Sequence, residues 1–137
     1  MTIERIRAVP FLLSFLAGVI LTIRAATAAD DETFFTHLHT ERAMANVTVT
    51  PGRAGPVEIT VQLETTDEAP LSAMAVSVAL SGPHVGSETI KASAVHTADD
   101  LWRATLSLPS GGRWDMGLMI RLSENDEVKI AAPILIR

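Results

Sequence analysis

Two histidines one residue apart, His37 and His39 in "FFTHLHTERAM" (34–44), are the residues here best suited to chemistry. In extended backbone, side chains at i and i+2 project to the same side, so both imidazoles can face one ion. Imidazole suits copper, zinc and nickel. The chain has no cysteine, which leaves methionine as its soft ligand. Thioether sulfur selects Cu(I). Met44 lies opposite Val47 and Val49 in the alternation, and Met119 lies between Gly117 and Arg121 on the face opposite its apolar neighbours. The candidate metal ligands are therefore His37, His39, Met44 and Met119. Met74 and Met116 share a face with Val and Leu and are expected in the core. A Cu(II) site on the two histidines would draw further donors from the N-terminal amine of a processed chain, or from Asp30, Asp31 or Glu32. The competing reading makes "HLH" a polar lead-in to the first strand. His84, in "GPHVG", reads as a solvated loop residue, and His96 closes a strand before "TADD".

Other chemistries are poorly supplied. Absent cysteine excludes disulfides, thiolate catalysis and thiolate zinc sites. A net charge of −5 argues against nucleic acid as a partner. No G-x-S-x-G, phosphate loop or dinucleotide fingerprint occurs, so no enzymatic activity is expected. The acidic groups at 29–31, 98–100 and 124–127 are too sparse for a calcium loop.

The elements that must hold these residues begin after a leader. "MTIERIR" carries Arg5 and Arg7, residues 8–23 are free of charge, and Ala26 and Ala28 form an A-x-A cleavage pattern. Residues 1–28 read as a secretory signal, or as an uncleaved anchor, although the apolar run is shorter than the roughly 20 residues a spanning helix needs. Either reading places the remainder outside the cytoplasm. That remainder loses three arginines and one glutamate, which leaves eight basic and fifteen acidic residues, a charge of −7. Residues 29–44 read as a polar lead-in.

From 45 onward, apolar and polar residues alternate in short runs broken by turn signals. The runs are 45–51, 57–64, 73–82, 88–97, 101–109, 113–122 and 128–136. Val57, Ile59, Val61 and Leu63 should face inward, as should Trp102, Ala104, Leu106 and Leu108, and Trp114, Met116, Leu118, Ile120 and Leu122. Pro133 marks the last run as an edge strand. "PGRAGP" (51–56) is a turn, with Gly52 and Gly55 permitting positive φ. Residues 45–137 are thus expected to form a seven-stranded antiparallel immunoglobulin-like β-sandwich.

"HLHTERAMANVTVTPGRAGPVEITVQL" (37–63), "DDLWRATLSLPSGGRWDMGLMIRL" (99–122) and "APILI" (132–136) resemble the YtkA-like domain at the C-terminal end of CopD-type copper transport and resistance proteins. His37 and His39 match that pattern, and Pro109 to Trp114 form a turn one residue longer than its shortest version. The resemblance implies an immunoglobulin-like extracytoplasmic domain associated with copper, working beside an inner-membrane copper transporter. In the larger proteins the domain follows a multi-span membrane portion; here a signal-like segment stands in that place. The alternative is a metal-free sandwich that docks on a membrane protein through an edge strand or the surface around Met119.

Overall fold

The computed structural model describes residues 32–84, 86–98 and 100–137. The leader lies outside these residues. Nine strands are present among them: β1 (Phe34–His39), β2 (Met44–Thr50), β3 (Gly55–Glu64), β4 (Ala75–Ser81), β5 (Thr89–Ser93), β6 (Val95–Ala98), β7 (Leu101–Leu108), β8 (Gly112–Ser123) and β9 (Asp126–Ile136). They pair antiparallel in two sheets, one ordered β1-β2-β3-β7-β6 and the other β5-β4-β8-β9. The fold is an all-β sandwich.

Period-2 alternation builds it. On β3, Val57, Ile59, Val61 and Leu63 are buried, while Glu58, Thr60, Gln62 and Glu64 face outward in part. Trp102, Ala104 and Leu108 of β7, and Trp114, Met116, Leu118 and Ile120 of β8, join them in one core. Leu106 and Leu122 are half-buried against it. No polar or charged residue among those described is buried. The edge assignment for the last run holds, since β9 ends the second sheet.

Nine strands replace the expected seven for two reasons. The segment read as a polar lead-in carries β1, whose Phe34 and Leu38 pack on the core while Phe35, His37 and His39 face outward. Histidines on the outer face made an amphipathic strand look like a polar tail. The run 88–97 is two strands in different sheets, separated at Ala94. Half-buried Ala92 and Ala94 alternate with exposed neighbours, but from Val95, 67% exposed, to Ala98 every residue faces outward and the chain has moved to the edge of the first sheet.

Met74 is also corrected: it is 57% exposed, not core. It precedes β4 at the end of the crossover from the first sheet, with its N–H donating to the Arg121 carbonyl at 2.7 Å. In "PGRAGP", Gly55 has the positive φ, 109°. Gly52 is needed for space instead, because a Cβ there would lie 2.7 Å from the Glu32 carbonyl oxygen.

Candidate metal centre

A four-residue loop, Thr40–Ala43, sets the register of the β1–β2 hairpin. Thr40 N–H donates to the Ala43 carbonyl (2.8 Å), and Thr40 Oγ1 accepts from the N–H groups of Arg42 (3.2 Å) and Ala43 (3.1 Å). Arg42 grips Asp126, at the start of β9, with one guanidinium nitrogen on both carboxylate oxygens at 2.8 and 2.6 Å. That hydrogen bond, and then the carboxylate charge, raise the Arg42 pKa above its ordinary value. The loop of the first sheet is thereby tied to the second.

The resulting register pairs His39 with Met44, His37 with Asn46 and Phe35 with Thr48. Directly paired residues project to one face, with Cβ atoms about 4.5–5.5 Å apart. His37, His39 and Met44 therefore share the outer face of the first sheet, and Met44 is half-buried there. The two imidazole centroids are 6.1 Å apart with ring planes inclined by 31°. Metal–nitrogen bonds of about 2 Å place two rings on one ion about 5–6 Å apart, close to the separation of this pair. His37 Nδ1 is 2.5 Å from Asn46 Oδ1. An amide oxygen only accepts, so the bond places the proton on Nδ1 and leaves the Nε2 lone pair outward.

Met119 is separated from this group. It lies on β8 opposite Ser77 and Lys129, on the outer face of the second sheet, and is 40% exposed. The sandwich core stands between it and Met44, so one ion cannot reach both. Glu32 pairs with Arg137 across the abutting sheet edges. Asp30 and Asp31 lie outside the described residues. His84 is an exposed loop residue, as expected. His96 lies on edge strand β6 with its ring 4.7 Å from that of Trp102. Among the described residues, no three His, Asp or Glu side chains gather where they could hold an ion.

The residue that sequence reasoning missed is Asn46. Its signal was available: Asn46 stands two positions after Met44 and shares its face. What the sequence does not print is the hairpin register that sets it against His37. A groove lies elsewhere, on the outer face of the second sheet, where Ser77, Ala79, Gly117, Met119, Lys91 and Lys129 border about 570 Å³. Among the described residues, no helix is long and apolar enough to cross a membrane.

No family model and no curated protein matches this chain. A solved structure described as a Br derivative of BhCBM56 is similar over 73% of this chain and 99% of its own, at 14% identity and a TM-score of 0.46.

Proposed function

We propose that this chain is an exported copper-binding module of immunoglobulin-like, YtkA-like type, holding or delivering copper beside an inner-membrane transporter. The observation that carries the reading is the hairpin register, which brings His37, His39 and Met44 to one exposed face. Two imidazoles at i and i+2 on one face, one hydrogen-bonded to a neighbouring amide that sets its tautomer, supply a pair of nitrogen donors. The resemblance of 37–63 and 99–122 to copper-associated domains selects copper among the metals imidazole can take. An ion on an exposed sheet face is accessible to a partner, as transfer requires. No catalytic role is assigned.

The test is copper content. The full chain, purified from a host that exports it in copper-supplemented medium, should carry about one copper per molecule. A His37→Ala/His39→Ala double variant of equal thermal stability should fall to background. Equal copper in both would remove the histidines from the site. The groove around Met119 supports the second reading, a metal-free module docking on a membrane protein. Background copper in the unsubstituted chain, with a membrane partner retained through chelation, would favour it.

A further inference from the structure

Which oxidation state such a site takes follows from the donors that the hairpin register brings together. His39 and Met44 form the pair that closes the β1–β2 hairpin, so a thioether stands directly across from an imidazole. Met44 is long and unbranched, and its sulfur can swing toward either ring. Hard donors are few. Glu64 is on the same face, paired with Met44 from β3. It therefore lies two strand spacings from His39, roughly 10 Å across the sheet. Glu58 is engaged by Arg103 at 3.4 Å, and Asp100 accepts from Gln62 at 3.1 Å. No third His, Asp or Glu among the described residues joins the histidine pair. Cu(II) favours a tetragonal set of nitrogen and oxygen donors, which two imidazoles alone leave half empty. Cu(I) is satisfied by fewer, softer ligands, and thioethers select it.

We infer that the site binds Cu(I) through His37 Nε2, His39 and the Met44 thioether, with Asn46 as a positioning residue that fixes the His37 ring. The inference rests on the reading of this chain as a copper-binding module. Asn46 does not touch the ion. Its Oδ1 holds the Nδ1 proton, so that His37 offers Nε2 without first changing tautomer or rotamer.

The experiment is an anaerobic titration of the full chain with Cu(I) against a chromogenic Cu(I) chelator. A parallel aerobic titration uses Cu(II). The expected result is one Cu(I) per chain, bound more tightly than Cu(II). Met44→Leu, a near-isosteric change on the outer face, should weaken Cu(I) on the order of tenfold or more and leave Cu(II) unchanged. Asn46→Leu should weaken Cu(I) roughly 10–100-fold, while Asn46→Asp, which keeps the acceptor, should restore it. X-ray absorption at the copper edge should show a sulfur scatterer in the unsubstituted Cu(I) complex. Its absence there would overturn the inference however the variants fold. Cu(I) affinity unchanged in Met44→Leu but lost in His37→Ala/His39→Ala would also overturn it while leaving a histidine copper site standing. Copper affinity unchanged in the double variant would overturn both readings.

Discussion

At the scale of single residues, the histidine pair and the two tryptophans show how much a neighbour decides. Protons compete with copper for the imidazole lone pairs, so affinity should fall steadily as the solution is acidified. A titration series from neutral to acid pH that shows constant affinity would contradict nitrogen ligation. Met119 provides the control: Met119→Leu should leave copper binding unchanged, because that side chain lies on the outer face of the other sheet. The tryptophans differ in one hydrogen bond. The Trp114 indole N–H donates to the Ser110 carbonyl at 3.1 Å, whereas the buried Trp102 N–H has no acceptor among the described residues. Trp114→Phe should therefore cost more than Trp102→Phe, by about 1 kcal/mol in urea unfolding. Equal costs would mean that the Ser110 bond contributes nothing net.

At the scale of elements, the β1–β2 hairpin is where sequence reading and structure part. Val57 to Leu63 and Trp114 to Ile120 were legible because every second residue is large and apolar, and all of these are buried. β1 was not, because only Phe34 and Leu38 carry its inward face and both are half-buried at an edge. The sequence therefore named His37, His39 and Met44 but could not show that they meet. Their meeting depends on a loop of four residues and on the Arg42–Asp126 contact between elements 84 residues apart. Arg42→Ala should loosen the hairpin, weaken copper binding by a few-fold at most because the Arg42–Asp126 pair is half-exposed, and raise amide exchange across 34–49. Unaltered exchange there would show that the loop holds its register unaided. Gly52 supports the same strand from the other end. Gly52→Ala would drive a Cβ against the Glu32 carbonyl and the Phe34 N–H, at 2.7 and 3.1 Å. It should cost about 1–3 kcal/mol, measured by thermal or urea unfolding.

At the scale of the molecule, the sandwich separates support from function. One core, with no buried polar residue among those described, holds both sheets. Ile59, fully buried at its centre, should cost about 2–5 kcal/mol on change to Ala. Such a loss should lower stability without changing copper affinity in the folded fraction. The outer faces are left to differ: the first sheet presents His37, His39 and Met44, and the second presents small residues flanked by Lys91 and Lys129. That division was hidden in the sequence, because alternation assigns a residue to an inner or outer face but not to one sheet or the other. Met44 and Met119 looked equivalent for that reason.

The central claim is that His37 and His39 hold copper. Its most direct test is an equilibrium competition titration of the full chain and its His37→Ala/His39→Ala variant with copper in both oxidation states. One-to-one binding that the variant loses is the result predicted here. Binding of equal strength in both proteins would contradict it.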